Sequence, residues 1–220
     1  MTRKRVGVLI SGRGSNLGAL IEACKAPDYP AKIVLVISNV PSAQGLLRAE
    51  SAFMPALVIN HKAFAAREGF DAALDTALNE AGVELLCNAG FMRLHSEDFV
   101  ERWRNRHLNV HPSLLPAFRG LHSHARVLEA GATITGCTVH FVRPEMDTGP
   151  IVAQAAVPVL PDDTPESLGA RVLDAEHRLY PHALKLVASG ELRVEDEHVV
   201  RTTQITPQPP LFSPPLDEAL

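Results

Sequence analysis

The segment Asn109-Val110-His111-Pro112-Ser113-Leu114-Leu115-Pro116 sets a carboxamide and an imidazole two residues apart. Asp147 follows thirty-six residues after His111, in Met146-Asp147-Thr148-Gly149-Pro150. These three groups suit acyl transfer. An amide can hydrogen-bond a developing oxyanion, an imidazole can move a proton, and a carboxylate can tune the proton mover. On an extended segment residues 109 and 111 point to one face. The prolines at 112 and 116 then force the chain out of regular structure, where sites are readily built. His111 starts from an ordinary pKa of about 6.5. A buried carboxylate beside it favours the charged ring, so Asp147 is expected to raise that value and make His111 a general acid. Asn109 has no titratable proton, and its expected role is to bind the carbonyl oxygen as it gains charge.

Two rival chemistries use neighbouring residues. His122-Ser123-His124, with His111 and His140, brings zinc to mind, but there is no H-E-x-x-H and no cysteine pair, so no metal is expected. His140 lies on a predicted strand, where a core or supporting role is the plain reading. Ser113 follows His111 closely, yet it has no G-x-S-x-G elbow and reads as a turn residue.

A second motif lies near the start. Val6–Ile10 is followed by Ser11-Gly12-Arg13-Gly14-Ser15-Asn16-Leu17 and then a helical stretch. A glycine-rich strand-to-helix turn can aim backbone N–H groups at an anion. The third glycine of a dinucleotide fingerprint falls one residue late, at Gly18, and the Gly-Lys-Ser/Thr end of a Walker loop is missing. A phosphate cradle and a tight turn that merely needs glycine both remain open.

The elements that must position these groups follow a βαβ rhythm. Apolar runs at 5–10, 32–38, 56–60, 83–88 and 106–110 read as strands buried on both faces. Helices are expected at 16–25, 43–51, 67–81 and 96–103. This predicts a doubly wound, Rossmann-like α/β domain with a mostly parallel sheet, in which residues 1–110 form the N-terminal half that carries the glycine-rich turn. Strands at 133–142 and 151–159 add an antiparallel portion. A long helix from Thr164 to Ser189 follows, with a kink at Pro181. One domain is expected over residues 1–202, with a proline-rich extended or disordered tail at 203–220.

A chain of 220 residues with net charge −4 has no bulk pull toward nucleic acid or anionic membrane. Its three cysteines, Cys24, Cys87 and Cys137, are far apart and odd in number, as in a reduced cytosol. The basic start is followed by an apolar run too short for a signal peptide, and no stretch is long enough to span a membrane. The expected setting is the cytoplasm and the expected partners are small molecules. Assembly state is left open, a homodimer included.

The chain resembles the folate-dependent glycinamide ribonucleotide formyltransferases of purine synthesis. The likeness rests on residues 10–17, on Ala89-Gly90-Phe91-Met92-Arg93, on residues 108–116, and on Val139-His140-Phe141-Val142 leading to Asp147-Thr148-Gly149-Pro150-Ile151. The S-G-x-G-S-N-L loop marks this branch; S-L-L-P and D-x-G-P are shared more widely. The resemblance implies the formyltransferase fold. It also implies transfer of a formyl group from 10-formyltetrahydrofolate to the glycinamide amine, the third step of the pathway, with neither metal nor ATP. It puts the catalytic trio on Asn109, His111 and Asp147. Ribonucleotide contacts fall on Gly14, Ser15, Asn16 and Glu176, and folate contacts on Arg67, Met92, Arg93, Leu94, His95, Arg143 and Asp147. Three residues depart from the pattern. His95 stands where an apolar or small residue is expected, Pro144 where an acidic one is common, and Arg13 where asparagine is commoner.

Overall fold

A computed structural model describes residues 2–202 and 209–216. Its sheet has seven strands in the order β3-β2-β1-β4-β5-β6-β7. The first five strands are β1 (Lys4–Ile10), β2 (Ala31–Ser38), β3 (Ala56–Val58), β4 (Leu85–Asn88) and β5 (His107–His111), and they run parallel. β6 (Ile134–Phe141) and β7 (Ile151–Pro158) close the far edge antiparallel, as expected from the second half of the sequence.

The near-continuous apolar strands β1, β2 and β4 are largely buried from both sides, whereas β3, at the sheet edge, is exposed throughout, against the expectation of burial on both faces. Alternate side chains of β1 divide between two cores: Val6, Val8 and Ile10 face one, Leu9 the other. The first core is covered by α1 (Ser15–Cys24) and α6 (Pro165–Ala188), through Leu17, Leu20, Tyr180 and Leu184. The second is covered by α3 (Arg67–Glu80) and α4 (Glu97–Arg102), through Phe70, Leu74, Leu78, Phe99 and Trp103. α2 (Gly45–Ser51) packs beside α1. α6 begins with a capping box between Thr164 and Ser167, carries Pro165 in its first turn, and continues unbroken through Pro181. The Tyr180 hydroxyl donates to the Asn88 and Leu108 carbonyls at 3.0 and 3.1 Å, tying α6 to the sheet.

A helix and a hairpin go beyond the sequence expectation. α5 (Ser123–Glu129), 7 residues long, starts within the His122-Ser123-His124 run, where no helix was expected. A hairpin of β8 (Leu192–Glu195) and β9 (His198–Arg201) follows α6 inside the expected domain. Of the expected tail, residues 209–216 carry no regular structure, and 203–208 and 217–220 lie outside the described residues.

Candidate active site

Register across the sheet gathers the site. Leu9, Asn88, Asn109 and His140 lie side by side on β1, β4, β5 and β6. β5 extends beyond Asn109 to His111. The segment after His111 is then pinned onto β6. The Thr138 hydroxyl donates to the Ser113 carbonyl at 2.7 Å and accepts from the Leu115 N–H at 3.0 Å. Ser113 is fully buried and its hydroxyl donates to the Ala117 carbonyl at 2.6 Å, so it is a turn residue with no access to substrate. The 143–149 loop doubles back over this row. Its neck is closed by the Phe141 N–H donating to the Pro150 carbonyl at 2.9 Å. Only glycine fits at 149, since a Cβ there would lie 1.8 Å from the Phe141 oxygen.

Asp147, with a left-handed φ of 56°, sits at the centre. Its Oδ2 lies 3.2 Å from His111 Nδ1 and accepts the Gly120 N–H at 2.9 Å. Its Oδ1 lies 3.6 Å from His140 Nε2, an electrostatic contact longer than a hydrogen bond. His140 Nδ1 donates to the Phe141 carbonyl at 2.9 Å, which leaves Nε2 to accept from Asn109 Nδ2 at 3.2 Å. Asn109 is thereby oriented, with a second N–H to spare. His140 is buried and supports Asn109, within the core or supporting role that its place on a strand suggested. Its cross-strand pairing with Asn109 is the signal, and that becomes visible only with the strand register.

The expected rise of the His111 pKa is corrected by its surroundings. The ring is nearly inaccessible, and burial, the largest influence, disfavours the charged form. The Phe118 carbonyl, 3.0 Å from Nε2, and Asp147 pull upward. His140 and Arg126 push down, and the net displacement is below the ordinary histidine value. Both ring nitrogens nevertheless face oxygen acceptors, an arrangement that only the doubly protonated ring fully satisfies. The charged state is therefore within reach once another negative charge develops nearby. Burial pushes the Asp147 carboxyl up, but the two imidazoles and the Gly120 N–H outweigh it, and its pKa is lowered.

These side chains border a cleft of about 700 Å³ that also reaches Asn16 and Glu176. Gly14, with φ 69°, precedes α1, and its backbone approaches Gly45 so closely that a Cβ would lie 2.6 Å from the Gly45 Cα. The turn thus needs glycine whether or not it holds an anion. Asn16 Nδ2 donates to Glu176 Oε2 at 2.7 Å, and Asn16 Oδ1 is buried without a partner. Burial pushes the Glu176 carboxyl up to about 7, against the pull of that hydrogen bond. The Ser11 hydroxyl accepts the Met92 N–H at 2.8 Å, linking this turn to the cleft wall.

Of the expected folate contacts, Met92, Arg93, Leu94, His95, Arg143 and Asp147 line the cleft; Met92 and Leu94 are well exposed. Arg67 does not line it: it is exposed at the start of α3, and Nη1 reaches only the His95 carbonyl at 3.5 Å. The His95 ring is committed elsewhere, its Nδ1 held 3.1 Å from the buried Asp71 carboxylate and its face stacked between Phe91 and Phe99. The Arg143 guanidinium is likewise engaged, by Glu197, Asn105 and the Val142 carbonyl. Ser15 and Gly14 lie beside the cleft rather than in its wall. Among the described residues, no group of three or more His, Cys, Asp or Glu side chains is placed to hold a metal ion. Nor is any helix among them long and apolar enough to cross a membrane.

Comparison with known proteins agrees with this architecture. A family model described as formyl transferase matches residues 4–184. The chain is 43% identical over 193 residues to the phosphoribosylglycinamide formyltransferase of Haemophilus influenzae, covering 88% of this chain and 91% of that one. It is 54% identical over 190 residues to the trifunctional purine biosynthetic protein adenosine-3 of Gallus gallus. That match takes in 86% of this chain and 19% of the relative, so the chain spans about a fifth of that longer protein. The crystal structure of glycinamide ribonucleotide transformylase 1 from Symbiobacterium toebii superposes with a TM-score of 0.88 at 47% identity, covering 90% of this chain and 94% of that one. The chain belongs to the formyl transferase family. Within that family its place is among the phosphoribosylglycinamide formyltransferases.

Proposed function

We propose that this protein transfers a formyl group from 10-formyltetrahydrofolate to the amine of phosphoribosylglycinamide. The products are the formylated ribonucleotide and tetrahydrofolate. One observation carries this reading. Asp147 stands between His111 and His140, at 3.2 and 3.6 Å, and His140 in turn holds Asn109 at 3.2 Å, all on the wall of a cleft of about 700 Å³. Family membership supplies the context.

The roles follow from the chemistry of each group. Asn109 gives its free N–H to the formyl oxygen, whose charge grows as the amine adds to the carbon; one such donor is commonly worth about 2.7–4 kcal/mol. His111, neutral at rest because it is buried, takes the proton that the attacking amine must lose. It passes that proton to the folate nitrogen as the carbon–nitrogen bond breaks. The oxyanion and Asp147 together stabilise the imidazolium during that transfer, so the stabilisation is greatest in the transition state. Exchanging the Phe118 carbonyl for substrate frees Nε2 for this work. Asp147 orients the ring through Nδ1. The Asn16–Glu176 pair takes the ribose, with Asn16 Oδ1 waiting for a hydroxyl donor. The Gly14–Asn16 turn takes the phosphate, and the Met92–His95 wall and the 143–147 loop take the folate. The donor set calls for no resident metal or ATP in this scheme.

The test is direct. Folded protein mixed with 10-formyltetrahydrofolate and phosphoribosylglycinamide is expected to release tetrahydrofolate in step with formylated ribonucleotide. Absence of turnover, or turnover only with another amine acceptor, overturns the reading.

A further inference from the structure

The hairpin after α6 touches the reaction loop at one point. Glu197, at its tip, shares its carboxylate between Arg143 Nε and Arg104 Nη2, each at 2.5 Å. The Arg143 side chain is 7% exposed, and every arm of its fork is used: Nη2 donates to Asn105 Oδ1 at 2.7 Å and Nη1 to the Val142 carbonyl at 2.9 Å. Arg143 opens the 143–149 loop. Its stem also meets the loop's other end, because a Cβ on Gly149 would lie 3.1 Å from Arg143 Cγ. One arginine thus forms the neck of the segment that carries Asp147.

The backbone at the tip indicates that this contact is built rather than incidental. Asp196 and Glu197 have φ of 45° and 61°, the left-handed pair of a tight hairpin turn. Glycine or asparagine is the ordinary second residue there, and glutamate is disfavoured. Such strain persists where surrounding contacts over-determine it.

We propose that Glu197 is a positioning residue for formyl transfer, holding Arg143 so that the 143–149 loop presents Asp147 to His111 and shapes the formyl-donor side of the cleft. This rests on the function proposed above. Glu197 lies on the hairpin, outside the reacting groups, and acts through Arg143. Asn16 and Glu176, at the ribonucleotide end, are not part of this contact.

The decisive variant is Glu197→Gly, which relieves the backbone while deleting the tie. Relief of the backbone offsets part of the cost of leaving Arg143 Nε without its carboxylate, so the variant's thermal midpoint is expected to stay within a few degrees of the parent's. Its KM for the formyl donor is expected to rise about 3- to 10-fold, with the ribonucleotide KM unchanged. Glu197→Gln keeps an acceptor oxygen and should recover at least half of that loss. A second readout needs no turnover: the His111 pKa, by NMR titration. The groups facing this ring are Asp147, His140, His124 and Arg126. In Glu197→Gly the value is expected to fall part of the way toward that of Asp147→Asn. A parent-like titration in Glu197→Gly, or an equal rise in KM for both substrates, overturns the inference. If the parent fails to transfer formyl groups, the proposed function fails, and the titration still decides the positioning role.

Discussion

At the scale of single residues, burial holds the His111 pKa down, while the Phe118 carbonyl and the charge of Asp147 draw it up. Replacing Asp147 by asparagine keeps the shape and removes one of these two upward pulls, so the His111 pKa is expected to fall further. Turnover is expected to drop by at least about tenfold, with ribonucleotide affinity within about twofold of the parent. A pH–rate profile identical to the parent's would contradict this. Glu176 offers the converse experiment. Its carboxyl is displaced from 4.5 to about 7 by burial, which corresponds to about 3 kcal/mol against the charged form. The folded protein binds the extra proton, so this contribution to stability is present at low pH and lost as pH rises through about 7. Glu176→Gln is therefore expected to be more stable than the parent at pH 8 by roughly 2–3 kcal/mol, and no more stable below about pH 4.5. It should also bind ribonucleotide more weakly. Urea unfolding at the two pH values checks the first claim and calorimetric titration the second.

At the scale of elements, the important joint is the one between β6 and the chain leaving β5. Thr138→Val removes a hydroxyl that serves the Ser113 carbonyl and the Leu115 N–H, leaving two buried backbone groups without partners. The expected cost is roughly 2–4 kcal/mol by denaturant unfolding, with loss of turnover because His111 directly precedes this segment. A variant as stable as the parent would show that the hydroxyl is dispensable. This joint also separates what could be read in the sequence from what could not. The strands and main helices were legible because buried parallel strands are continuously apolar and helices are periodic. Asn109, His111 and Asp147 could be named as a candidate trio from residue type and spacing, and strand register with the 143–149 loop brings them to one cleft. The partner of His140 could not be named, because it comes from standing opposite Asn109, a relation between strands 31 residues apart in sequence. Nor could the internal partners of the His95 ring and the Arg143 guanidinium be named. Asp71 and Glu197 are long-range contacts that no local pattern announces. The reversed His111 shift has the same origin, since the proximity of Asp147 could be inferred but the depth of burial could not.

For the whole molecule, buried titratable groups set the response to acid. Burial, the largest cause in each case, holds His107 well below its ordinary pKa and lowers His111 and His124. Each binds fewer protons folded than unfolded, so stability is lost as pH falls below about 6.5. Asp71 and Asp147 extend the loss as pH falls through the carboxylate range. Glu176 runs the other way between about 4.5 and 7, one group against three. The calorimetric midpoint is expected to fall between pH 7 and pH 5, at about 2–4 °C per kcal/mol, and to fall more steeply in Glu176→Gln. A midpoint that climbs on acidification would mean that these imidazoles are not buried neutral.

The row formed by Leu9, Asn88, Asn109 and His140 has one more consequence. Because main-chain ladders align Asn109 with His140, that alignment owes nothing to the exposed apolar residues at the cleft mouth, Met92, Leu121 and Met146. Chemistry and donor preference are thus separable traits. Under the proposed function, substitutions around the mouth are expected to retune which formyl donor is accepted, while Asn109 and His140 stay aligned.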